Sequence, residues 1–239
     1  MRDRLTSLGT APALLVSSGP EREAAERGTI LLLHGFTASK EVQYKEAHSL
    51  AEHGYLVAVT DAVGHGARRL PDFKAHFSVS GDELERRFFA VVKQTADELP
   101  GVVAALRAEG LVREGRLGAC GISMGGAVLF GAMSGLCAFD AVVTMVATPI
   151  WQLRPDSPHQ RLEKFFPAPL LMHTCSEDRT VSPADARALF EALTPRYASA
   201  PDRLRYVEHP GEGHMFSPAG WERAWGETVA WFDRFLGSA

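Results

Sequence analysis

The stretch Leu117-Gly118-Ala119-Cys120-Gly121-Ile122-Ser123-Met124-Gly125-Gly126 decides how this chain is read. Its first four residues have the unbroken apolar character of a buried strand, and Gly126-Ala127-Val128-Leu129-Phe130 suits a helix. A strand that passes directly into a helix must turn sharply. Glycines on both sides of Ser123 remove side chains that such a turn could not hold, and the serine hydroxyl is thrust above the sheet edge on strained backbone. By itself G-x-S-x-G is a short pattern that an incidental Gly-rich connection also satisfies, so its meaning depends on its surroundings.

Working outward, apolar runs at Thr29–Leu33, Leu56–Thr60, 141–146 and 170–173 read as further buried strands, with 204–207 as a more alternating one. Helical patterns lie between them, and such alternation predicts a mostly parallel sheet covered by helices on both faces. After Ser80, the residues Ser80-Gly81-Asp82-Glu83 form a capping box. Leu84, Phe88, Val91, Val92, Thr95 and Leu99 then share one helical face. Pro100-Gly101 is expected to break or kink the long helical stretch 82–109. Ser182-Pro183 and Ser217-Pro218 each place a capping residue before a first-turn proline, so two more helices start there. The second passes through Trp221, Trp225, Val229 and Phe232. Residues 148–169 hold five prolines and no clean period, which predicts a short cap-like excursion over the carboxyl edge of one domain spanning 1–239.

An alcohol near its ordinary pKa is a poor nucleophile, so Ser123 needs a base beside it and a group that orients that base. His214, in Pro210-Gly211-Glu212-Gly213-His214, follows the 204–207 strand, at the sheet edge where reactive side chains converge. Asp178 occupies the turn Cys175-Ser176-Glu177-Asp178-Arg179 after the 170–173 strand, completing the order serine, acid, histidine. It also suits an Asx-type turn, and Glu177 is the alternative acid. A developing oxyanion needs aimed donors. The backbone N–H of Met124 is one candidate, and that of Phe36, in Leu33-His34-Gly35-Phe36-Thr37, is the second, with Thr37 as its alternative. His34 stands at a strand end and His65, in Asp61-Ala62-Val63-Gly64-His65-Gly66, in a loop; both read as structural rather than catalytic.

The balance of the chain excludes several classes of function. Its 239 residues carry a net charge of -4, which argues against a broad basic face for nucleic acid. No apolar run reaches the roughly 18 residues of a membrane helix, and 13–16 is too short for a signal core, so a soluble cytoplasmic protein is expected. Cys120, Cys137 and Cys175 form no C-x-x-C pair and are an odd number, so neither a disulfide framework nor a zinc site is read. HExxH and Gly-rich phosphate motifs are absent, and no metal is implied.

Taken in order, Leu33-His34-Gly35-Phe36, Asp61 to Gly66, Gly121 to Gly126, Glu177 to Pro183 and Gly213-His214 make the chain resemble an α/β-hydrolase of the small carboxylesterase or dienelactone-hydrolase-related sort. The resemblance implies the α/β-hydrolase fold with an eight-stranded, mostly parallel sheet. It also implies a Ser123-Asp178-His214 triad, no cofactor, and hydrolysis of a small-molecule carboxylic ester. Dienelactone hydrolases carry a cysteine nucleophile where this chain has Ser123, which favours an esterase. With only 148–169 available as a lid, an open site lined by Trp151, Met215 and Phe216 is expected to take small to medium acyl groups. A peptidase or amidase would use the same triad, and a non-catalytic binding protein could keep the same scaffold.

Overall fold

A computed structural model describes residues 1–237. Eight strands form one sheet in the order β1-β2-β4-β3-β5-β6-β7-β8. Six of them are parallel: β3 (Thr29–Leu33), β4 (Leu56–Thr60), β5 (Leu117–Ile122), β6 (Ala141–Met145), β7 (Leu170–Cys175) and β8 (Leu204–His209). Every residue of β3, β4, β6 and β7 is buried, which is why these strands read as unbroken apolar runs. The fold class expected from the sequence is the one observed.

The antiparallel members, β1 (Arg2–Leu8) and β2 (Ala11–Ser17), form a hairpin whose outer edge is β1. The pair is an addition to the strands expected from the sequence, where the apolar run 13–16 counts only as too short for a leader. Leu8 pairs with Ala11, and Gly9 takes φ 60° in the two-residue turn between them. That is the Gly-first turn chemistry of a tight hairpin, and it was the available signal.

Helices cover both faces. On one face lie α2 (Tyr44–Glu52) and α7 (Pro218–Leu236), contributing Ala47, Leu50, Trp225, Trp231 and Phe232 to a buried cluster. On the other lie α4 (Gly81–Ala108), α5 (Met124–Met133) and α6 (Pro183–Leu193), with Val92, Leu99, Leu129, Phe130 and Leu189. Two shorter helices, α1 (Glu21–Arg27) and α3 (Phe73–Phe77), sit before β3 and before α4.

The structure corrects three local expectations. Helix α4 runs without interruption through Pro100. Pro100 withholds an N–H from the carbonyl of Ala96, and the buried Ala96, Leu99, Val102 and Val103 hold the helix on the sheet. The Ser80 box makes no side-chain cap, and neither does Ser182; of the expected caps only Ser217 accepts a first-turn N–H, from Gly220. The excursion 148–169 does not lie over the carboxyl edge. It descends beside α5, with short 3₁₀ turns at Pro158–Gln160 and Leu162–Lys164, and reaches the amino edge before β7.

Candidate active site

Ser123 stands between β5 and α5 at φ 54°, a conformation that costs a non-glycine residue about 1–3 kcal/mol and persists only when its neighbours impose it. Here they do. The Ser123 N–H is bonded to Met145 C=O of β6 at 2.8 Å, and the Ser123 C=O accepts the first helical bond of α5 from Ala127 at 3.1 Å. A side chain on Gly121 would put its Cβ 2.3 Å from the Gly125 carbonyl oxygen, and one on Gly125 would meet the Leu33 carbonyl oxygen at 2.3 Å. Both obstacles are backbone. The glycines on either side of the serine are therefore required by close approach of elbow and sheet.

Two loops bring their side chains to this serine. His214, after β8, places Nε2 3.0 Å from the Ser123 hydroxyl. Asp178, after β7, places Oδ2 2.7 Å from His214 Nδ1. Its other oxygen accepts the backbone N–H groups of Thr180 and Val181, each at 2.8 Å. Asp178 is thus both the Asx-type turn residue and the partner of the imidazole, since one carboxylate has oxygens for both. The Asp178 side chain is 1% exposed and that of His214 is 20%, so the acid is shielded while the imidazole faces the opening. Glu177 is exposed, and its backbone N–H is bonded to Glu212 C=O.

The β3 loop lies against the elbow: a Cβ on Gly35 would come within 3.6 Å of the Ser123 Cβ. A Gly35–Ala38 turn is closed by the Ala38 N–H on Gly35 C=O at 3.3 Å, with Thr37 at φ 67° in its third position, as a type II turn demands. Arg69 donates to the Thr37 carbonyl at 3.3 Å and stacks 3.9 Å over the Phe73 ring. The Phe36 ring packs among Phe73, Phe77, Phe88 and His65. Met124 is the first residue of α5, so its N–H falls outside the helical ladder and points where the helix dipole favours negative charge.

His34 and His65 hold this loop in place. His34 Nδ1 donates to Gly35 C=O at 2.8 Å, and its Nε2 accepts the Ala62 N–H at 3.0 Å. His65 Nδ1 lies 2.9 Å from Val63 C=O. Burial pushes both below the usual histidine range, His65 to about 4, so each stays neutral and keeps one fixed tautomer. Between them the Asp61 carboxylate, fully buried, accepts the Lys40 ammonium at 2.9 Å and the backbone N–H groups of Lys40 and Ala67.

The residues expected to line a substrate are dispersed. Met215 is 86% exposed beside His214. Trp151 is 2% exposed, its ring edge lying over Gly131 of α5 and its face stacked with Phe89 of α4. It is an internal packing residue of the descending excursion. Phe216 turns away and packs between His209 and Trp221, in the cluster on the opposite face of the sheet from Phe36. A concavity of about 560 Å³ lies at the amino edge among Gly115, Phe139, Phe166, Pro169 and Arg203. It is at the edge of the sheet opposite Ser123, Asp178 and His214.

Strand order, elbow and carboxyl-edge loops define the class: an α/β-hydrolase-fold enzyme of the serine-hydrolase kind. The chain belongs to the family described as serine aminopeptidase S33 (Hydrolase_4), whose sequence profile matches residues 24–166. YitV of Bacillus subtilis (strain 168), a candidate esterase by name, is 25% identical over 237 residues, covering 87% of this chain and 89% of its own. The structure of TT1662 from Thermus thermophilus superposes with a TM-score of 0.81 at 21% identity, covering 100% of this chain and 99% of that one. A candidate dienelactone hydrolase from Klebsiella pneumoniae gives 0.75 at 17% identity over 98% and 99% of the two chains. Among the described residues no helix is long and apolar enough to cross a membrane.

Proposed function

We propose that this hydrolase is a carboxylesterase working through an acyl-enzyme on Ser123, with small to medium acyl groups as its substrates. The observation that carries the reading is the unbroken path Asp178 Oδ2 to His214 Nδ1 at 2.7 Å and His214 Nε2 to Ser123 Oγ at 3.0 Å, ending on a serine held at positive φ. His214 takes the hydroxyl proton as Oγ bonds to the acyl carbon, then returns it to the departing alcohol oxygen. Water repeats the sequence on the acyl-enzyme, with His214 again the base, and releases the acid and free Ser123. Asp178 keeps Nδ1 protonated so that Nε2 is the basic nitrogen. The N–H groups of Met124 and Phe36 receive the developing oxyanion.

The esterase-named relative and the half-buried Ser123 near the exposed Met215 support this choice. Each further CH₂ of an acyl chain needs apolar wall to contribute its roughly 0.8 kcal/mol, and Trp151 and Phe216 are engaged elsewhere. A second reading, cleavage of an amide next to a free amino terminus, is favoured by the family's aminopeptidase description. A fluorophosphonate adduct mapped to Ser123, followed by turnover of p-nitrophenyl esters of rising chain length and of aminoacyl p-nitroanilides, tests both. The ester reading requires faster turnover of acetate and butyrate esters than of either long-chain esters or anilides. Dominant anilide cleavage would replace it with the second reading, and absence of a Ser123 adduct would remove both.

A further inference from the structure

Glu212 stands two residues before His214 and is 8% exposed. Its carboxylate reaches forward across the histidine: Oε2 accepts the Ser217 backbone N–H at 2.7 Å and Oε1 accepts the Ser217 hydroxyl at 2.8 Å. The Ser217 oxygen in turn accepts the Gly220 N–H at 3.0 Å, and the Arg223 guanidinium lies 3.3 Å from Oε1. A Cβ on Gly220 would sit 2.1 Å from Oε1, so α7 approaches the carboxylate as closely as bare backbone allows. The Glu212 carbonyl, meanwhile, accepts the N–H of Glu177, the residue before Asp178, at 2.9 Å.

We infer that Glu212 is a positioning residue: its carboxylate closes the span 212–217 around His214 while its backbone ties that span to the loop carrying Asp178. The inference rests on the triad reading above. Ser217 alone already caps α7, so capping does not account for a second, buried acid bonded to the cap itself. The enclosed residues have little else to anchor them. Gly213 has no side chain, Met215 is 86% exposed, and among the described residues the imidazole of His214 is hydrogen-bonded to Ser123 and Asp178 alone, which leaves the ring of Phe216, packed between His209 and Trp221, as the other anchor of the span. Charge-assisted bonds at the amino end of a 19-residue helix keep the carboxylate ionised, and its two bonds from Ser217 draw its pKa below the usual range. The base is thereby referred to a rigid element rather than to a loop, and a shift of about 1 Å in such a group is enough to cost on the order of a hundredfold in rate.

Two variants of the full chain test this, Glu212→Gln, which keeps the shape and removes the charge, and Ser217→Ala, which keeps the charge and removes the hydroxyl's bonds to Glu212 and from the Gly220 N–H. For each, p-nitrophenyl acetate kinetics and the rate of fluorophosphonate labelling at Ser123 are measured well below the melting temperature, together with the melt. Glu212→Gln should lose about tenfold or more in kcat and in labelling rate, with KM changed by less than about twofold, and Ser217→Ala about threefold. Unchanged kcat and labelling in folded Glu212→Gln, with only the melting temperature lowered, would overturn the inference and leave a helix cap. Should that variant fail to fold, an unchanged rate in Ser217→Ala overturns it instead. A wild-type protein that is not labelled at Ser123 removes the triad reading along with this one, whereas labelling unaffected by either substitution removes this one alone.

Discussion

In the proposed esterase, single residues divide into those that react and those that hold them. Replacing Ser123 or His214 by Ala should lower ester turnover by about four to six powers of ten without altering the fold, because triad members act as a unit; steady-state rates with p-nitrophenyl acetate check it. Asp178→Asn should cost on the order of 10⁴ by supporting the wrong imidazole tautomer, and an undiminished rate would pass the role to Glu177. The holding histidines leave a different signature. Burial keeps His34, His65, His173 and His209 below the usual range, His65 at about 4 and His173 at about 3. Each is neutral in the folded chain near neutral pH, whereas the unfolded chain takes up protons below about pH 6.5. Their contribution is therefore complete above that pH and is lost as pH falls from about 6.5 towards 4, at up to about 1.4 kcal/mol per unit for each. Urea unfolding at pH 7.5 and 5.0 should show a drop of a few kcal/mol, and equal midpoints would contradict it.

At the scale of elements, the serine elbow was readable because its constraint is local: a strand entering a helix over Gly-Ile-Ser-Met-Gly leaves the backbone few alternatives. The same locality misled at Pro100, where propensity argues for a break and the packing of Leu99, Val102 and Val103 on the sheet overrides it. Because Pro100 is exposed and withholds an N–H from an otherwise regular helix, Pro100→Ala should stabilise the protein by about 1 kcal/mol or more. A urea midpoint that does not rise would show that the proline is doing something the helix needs. Gly125→Ala should act in the opposite direction. Its Cβ would lie 2.3 Å from a strand carbonyl that has nowhere to move, so loss of folded protein in expression or thermal melts is the expected outcome.

Across the whole molecule, the serine elbow and the 560 Å³ concavity lie at opposite edges of the sheet, so substrate contacts are expected at Phe36, Met215 and the exposed residues around them. Cys120 and Cys175 are buried and Cys137 is half-buried, its thiol pushed up to about 11 by burial. Ellman's reagent at pH 7.5 should accordingly find at most one slowly reacting thiol in the native chain and three after denaturation; fast native reaction of two would contradict this packing. What the sequence by itself determined is whatever depends on neighbours along the chain: the buried parallel strands, the elbow, the cap at Ser217 before its first-turn proline, and the order serine, acid, histidine. Tertiary structure alone decided the rest. Ser123 and His214 lie 91 positions apart, and no local rule measures the 3.0 Å between them. Trp151 and Phe216 carried the right chemistry for a substrate wall, yet the two faces of the sheet claimed them, because an aromatic ring goes where the most apolar surface can be buried and not where a motif would use it.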